Sequence, residues 1–129
     1  MSGLAGVLAR LDERAEDSLS ELIEFASIPS VSAQPDHGPD MGRAARWLAE
    51  RLKRAGLRTV ELWPTAGHAA VYAEYLDAGE DAPTLLVYGH YDVQPPDPLE
   101  KWHTPPFTPT VKGNASTGAA SATTRGRCC

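Results

Sequence analysis

The chain reads as an α/β protein: two N-terminal helices followed by strands of a mixed open sheet. Three observations carry this. Apolar residues recur three or four apart across 4–28 and again across 41–55, which is the period of a helix with one buried face. Residues 69–76 alternate apolar and polar in the manner of a strand. Thr84–Tyr88 is an uninterrupted apolar run of the kind found in buried strands, broken by Gly89.

The first helix is expected from Leu4 to Ile28, with Leu4, Val7, Leu8, Leu11, Leu19, Leu22 and Ile23 on its apolar stripe. Asp12, Glu13, Glu16, Asp17, Glu21 and Glu24 form a solvated acidic face with no chemistry assigned to it. Pro29 ends the helix, and a polar loop from Ser30 to Pro39 follows, with His37 expected in solvent. Asp40 is expected to cap a second helix that runs to Ala55 and stops at Gly56. Met41, Ala44, Ala45, Leu48 and Leu52 supply its buried stripe. Arg43, Arg46, Arg51, Lys53 and Arg54 line a face that could hold an anion, but interleaved Glu50 makes it a solvated face. Leu57–Trp63 and Ala69–Leu76 then read as an antiparallel pair, with His68 a polar turn residue.

The third strand ends on His90 and Asp92. An imidazole with a carboxylate two residues away can bind a divalent metal and be oriented while doing so, because a ligating histidine needs an acceptor on its other ring nitrogen. On spacing alone, an ordinary surface turn is the simpler explanation of such a pair. Beyond it, Pro95, Pro96, Pro98, Pro105, Pro106 and Pro109 exclude helix and central strand, leaving a stiff surface excursion pinned by Trp102 and Phe107. His103 is read as incidental.

Composition bounds the function. With 129 residues, 42% hydrophobic and 22% charged, the chain holds one modest domain. The formal charge of −5 and the lack of a basic stripe disfavour nucleic acid. No apolar run approaches the roughly 18 residues that span a bilayer, and no secretory leader pattern opens the sequence, so the cytoplasm is the expected compartment. Cys128 and Cys129 are adjacent and build neither a disulfide framework nor a zinc-finger spacing. Gly89 stands alone, so there is no phosphate-binding loop.

Val87-Tyr88-Gly89-His90-Tyr91-Asp92-Val93-Gln94-Pro95-Pro96, with Trp102 and Pro105-Pro106-Phe107 after it, closely resembles the first metal motif of the zinc aminoacylase, deacylase and dipeptidase superfamily. Glu24–Ser32 resembles the exit of that family's first helix, and Tyr91 with Val-Gln-Pro resembles the carnosinase-like dipeptidase branch. The resemblance implies that His90 is a zinc ligand and Asp92 the acid that holds its ring. It further implies hydrolysis of the amide bond of dipeptides or N-acyl amino acids. Two zinc ions per site are implied, with manganese and cobalt as alternatives, and a full-length homodimer. The remaining ligands would come later, so the 129-residue chain alone is expected to be inactive, at most a binding or interaction module.

The expected division is 1–112 as the first part of the catalytic domain and 113–129 as a frame-shifted, disordered tail. Between Gly113 and Cys129 there is no Val, Ile, Leu, Met, Phe, Trp or Tyr. Members of the family resembled carry a LYGRG-type word here. Shifting the triplets back by one base permits ERLYGRGVSDDKGQVL over the same stretch.

Overall fold

The computed structural model describes residues 3–113 and 115–119. Helices α1 (Leu4–Glu13), α2 (Ala15–Ala26) and α3 (Gly38–Arg54) precede a hairpin of β1 (Thr59–Trp63) and β2 (Ala70–Glu74). A second small hairpin pairs β3 (Thr110–Lys112) with β4 (Ala115–Thr117). The α/β class is as the sequence predicts. The single helix expected from Leu4 to Ile28 is divided at Arg14, whose backbone leaves helical geometry (φ −103°, ψ 9°).

Helix α3 is the organising element. Met41, Ala44, Ala45 and Ala49 are buried along one face, and the helix packs on both β1 and β2. Its start lies earlier than Asp40, because Pro39 is tolerated in a first turn where no amide partner is needed. Asp40 therefore sits inside the first turn and is not the cap. Its carboxylate takes His37 Nδ1 at 2.9 Å and Arg43 at 3.1 Å, which leaves His37 half-buried instead of in solvent. At the far end Gly56 adopts φ +96°, the left-handed geometry that closes a helix.

Helix α2 meets α3 through Phe25 stacked on Trp47 at 4.8 Å, and through Arg51 Nε donating to Glu21 Oε2 at 2.5 Å. Glu21 thus leaves the acidic face assigned to solvent. The β1–β2 register sets Thr59 opposite Glu74 and Trp63 opposite Ala70, with Trp63 stacked on Tyr72 at 4.3 Å. Trp102 is half-buried and donates from its indole to Pro96 O at 2.8 Å, pinning the proline-rich excursion as expected.

Two expectations fail. Thr84–Tyr88 forms no strand and pairs with none among the described residues, and Leu85, Leu86, Val87 and Tyr88 are 85%, 88%, 84% and 90% exposed. The apolar run is a strand signal that needs neighbours on both sides, and here none flank it. The four strands accordingly form two separate antiparallel pairs, with no mixed open sheet among the described residues. Residues 115–119, within the tail expected to be disordered, form β4 and a buried Ala119; residue 114 and residues 120–129 of that tail lie outside the described residues.

The core is small-residue rich: the buried apolar side chains are Ala26, Ile28, Val31, Met41, Ala44, Ala45, Ala49, Val93 and Ala119. Alanines contribute little transfer energy, so each larger member matters more. Val31 is fully buried, and Val31→Ala is expected to lower unfolding stability by roughly 1–3 kcal/mol, measured from urea midpoints. The bare run at 84–88 should drive self-association. Leu86→Lys is expected to raise the concentration at which light scattering reports a single small species, and unchanged scattering would clear this segment of that role.

Candidate metal centre

His90 and Asp92 are positioned from an unexpected direction. The loop that leaves α2 runs alongside residues 91–93, and Val31 and Val93 form an isolated parallel bridge with both side chains buried. The Val93 amide donates to Ser30 O at 2.9 Å, and the buried Ser30 hydroxyl donates to Tyr91 O at the same distance. The sequence pattern predicts this pair at the end of a buried strand. The structure fixes it instead by the segment 30–32, some sixty residues earlier in the chain.

Within this frame the two side chains meet. His90 Nδ1 lies 3.0 Å from Asp92 Oδ1 and 3.0 Å from Asp92 O, so that nitrogen carries the proton it donates to them. Nε2 makes no hydrogen bond among the described residues and keeps its lone pair free. The other carboxylate oxygen, Oδ2, accepts from the Ser32 hydroxyl at 2.6 Å. Asp92 is consequently held below the usual carboxylate range, with the Ser32 hydrogen bond the largest cause, partial burial opposing it and His90 adding to it.

The hairpin turn closes one side. Tyr91 donates its hydroxyl to Ala69 O at 2.6 Å, and His68 Nε2 lies 3.2 Å from Ser32 O. Both contacts tie the β1–β2 connection to the segments carrying the pair. His68 remains an exposed turn residue, as expected. His37 is engaged with Asp40, and His103 borders an open hollow with Lys101, Trp102 and Lys112. Ser30, Ser32 and Tyr91 were not singled out by sequence reasoning as parts of the site. The signal that could have found them is the Ser30-Val31-Ser32 alternation, which places two hydroxyls on one side of an extended segment and a branched apolar residue on the other.

A catalytic zinc needs about three protein ligands and an open position. Among the described residues no group of three or more His, Cys, Asp or Glu side chains gathers to hold an ion. The donors present fit the role of one imidazole ligand with its orienting carboxylate, and they do not make a complete coordination sphere.

No family model matches the sequence. The chain is similar to succinyl-diaminopimelate desuccinylases, with 48% identity over 104 residues to that of Methylobacillus flagellatus, covering 81% of this chain and 26% of the relative. Against that of Xylella fastidiosa the identity is 32% over 108 residues, covering 84% and 27%. The cysteinylglycine-S-conjugate dipeptidase of Corynebacterium striatum is 36% identical over 95 residues, covering 74% and 20%. Among solved structures, the Dug1p di-peptidase of Saccharomyces cerevisiae superposes with a TM-score of 0.74 at 25% identity, covering 85% of this chain and 25% of that one. A metallo-carboxypeptidase of Sulfolobus solfataricus gives 0.70 at 36% identity, covering 80% and 22%. The chain spans about a quarter of the length of the curated relatives it matches. The relatives it resembles are thus desuccinylases, dipeptidases and a metallo-carboxypeptidase.

The depressed Asp92 value has a defined sign. A carboxyl whose folded value lies below its unfolded value adds stability above the ordinary carboxylate range, and that contribution is lost as pH falls through the folded value. Wild type is therefore expected to exceed Asp92→Asn in urea midpoint at neutral pH, with the gap closing as pH drops below the ordinary carboxylate range. A gap that stays constant with pH would contradict this.

Proposed function

We propose that this chain carries the first part of the metal site of a zinc-dependent hydrolase that cleaves the amide bond of dipeptides or N-acyl amino acids. His90 is the zinc ligand, through Nε2, and Asp92 holds its ring. The observation that carries this reading is the Asp92 carboxylate 3.0 Å from His90 Nδ1, which fixes the proton there and leaves Nε2 as the donor. The family's desuccinylases and dipeptidases support the bond type. A zinc ion held here supplies Lewis-acid polarisation of a scissile carbonyl. This chain's own contribution is to present one imidazole in a fixed tautomer, on a backbone braced by the Val31–Val93 bridge.

The parent site holds two ions, with manganese or cobalt as substitutes for zinc, and the parent is a cytoplasmic homodimer. The missing ligands belong to sequence beyond the matched quarter, and the residues after Lys112 stand out of frame with it. DNA read across the codons from Thr110 onward, with an open neighbouring phase encoding further acidic ligands, supports this; a neighbouring phase closed by stops refutes it.

The absence of a third clustered donor among the described residues favours a chain that is inactive on its own. With Zn2+ and a panel of dipeptides, the 129-residue chain is expected to show no hydrolysis above background, and appreciable zinc-dependent turnover would overturn the ligand-counting argument. Metal binding is read separately by nuclear magnetic resonance, after Cys128 and Cys129 are replaced by serine so that thiols do not compete. Zn2+ is expected to shift the ring nitrogens of His90 ahead of those of His37, His68 and His103, and His90→Ala to abolish the leading response. A response equal at all four histidines would sink the assignment.

A further inference from the structure

We infer that Ser32 is a positioning residue for His90, acting through Asp92, so that a hydroxyl sixty residues away in the chain biases which ring nitrogen the imidazole offers. This deepens the reading of His90 as a ligand and rests on it for its functional meaning, though not for its geometry.

A lone aspartate beside a histidine is a poor clamp. Its carboxylate turns about two side-chain bonds, and either oxygen, or neither, can face the ring. Here both oxygens are committed: Oδ2 accepts from Ser32 Oγ at 2.6 Å and Oδ1 faces His90 Nδ1 at 3.0 Å. With Oδ2 anchored, one carboxylate orientation remains, and it is the one that takes the Nδ1 proton. A proton on Nδ1 leaves the lone pair on Nε2.

Ser32 can act as an anchor because its own backbone is restrained. Its neighbour Val31 is fully buried in the parallel bridge to Val93, Ser30 holds Tyr91 and Val93 through two hydrogen bonds, and the Ser32 carbonyl is met by His68 Nε2 at 3.2 Å. The hydroxyl is half-buried, so water competes with it less than with a surface serine. The relay Ser32–Asp92–His90 therefore runs from a packed backbone to a free ring nitrogen without a rotatable link left unheld. The carbonyl of Asp92, also 3.0 Å from Nδ1, is a second acceptor, which makes the expected effect of losing Ser32 partial.

The test is the tautomer itself, read on the full chain by long-range proton–nitrogen correlation of the His90 ring at a pH where the imidazole is neutral. In wild type the Nδ1-protonated form is expected to dominate. Ser32→Ala is expected to lower the ratio of Nδ1- to Nε2-protonated forms by about two- to tenfold, the range for one hydrogen bond lost. Ser32→Thr restores the ratio. Ser32→Cys keeps the side-chain shape with a weaker donor and gives an intermediate value, which keeps the question answerable if the alanine variant does not fold. In an Asp92→Ala background, Ser32→Ala is expected to change nothing further, an interaction that a purely structural role for Ser32 would not produce. An unchanged ratio in Ser32→Ala and Ser32→Cys, or an equal effect with and without Asp92, overturns the inference. Failure of the ligand reading shows up elsewhere, as Zn2+ without effect on the His90 ring while the Ser32 series still moves the tautomer.

Discussion

The structure depends on one long-range pairing, the parallel bridge between Val31 and Val93. It is small in extent, one residue on each side, yet both valines are buried and polar bonds from Ser30 lie beside it. Apolar burial drives the two segments together, and the hydroxyl and amide bonds choose the register. A slip by one residue would turn Val31 outward and move Ser32 away from Asp92. The His90–Asp92 pair inherits its geometry from this choice.

The rest of the fold serves that pairing at its two ends. Helix α3 carries the hairpin on one face, and the hairpin turn reaches back to Tyr91 and Ser32. Helix α2 is fixed against α3 by the Phe25–Trp47 stack and the Arg51–Glu21 ion pair, which sets where the chain emerges at Ser30. That ion pair is about four-fifths shielded on both partners, so it is screened less than the surface pairs such as Arg10–Glu13. Helix α1 contributes no buried residue, and its apolar stripe of Leu4, Val7, Leu8 and Leu11 stays exposed.

What could be read from the sequence were the features whose cause is local. The α3 stripe and the alternation of β2 follow from backbone periodicity, so Met41, Ala44 and Ala45 and the antiparallel hairpin were foreseen. His90 and Asp92 were legible as a pair because two residues of separation already suffice for their hydrogen bond. Ser30 and Ser32 were not, since their partners are sixty residues off and a serine after a proline otherwise signals only a loop. The run at 84–88 failed in the opposite sense: its composition states that it belongs inside a sheet, but composition cannot supply the adjacent strands. The burial of His37 was hidden for a similar reason, because it follows from a helix start set by Pro39 and from proximity to Phe107 across the chain.

The sixty-residue span between Ser32 and Asp92 also has a kinetic meaning. Closing so long a loop costs configurational entropy before any contact repays it, whereas α3 and the β1–β2 hairpin form from neighbours in sequence. Those local units shorten the effective distance, so the two valines meet late, on a platform already assembled. The imidazole and its carboxylate would then acquire their final alignment among the last events of folding.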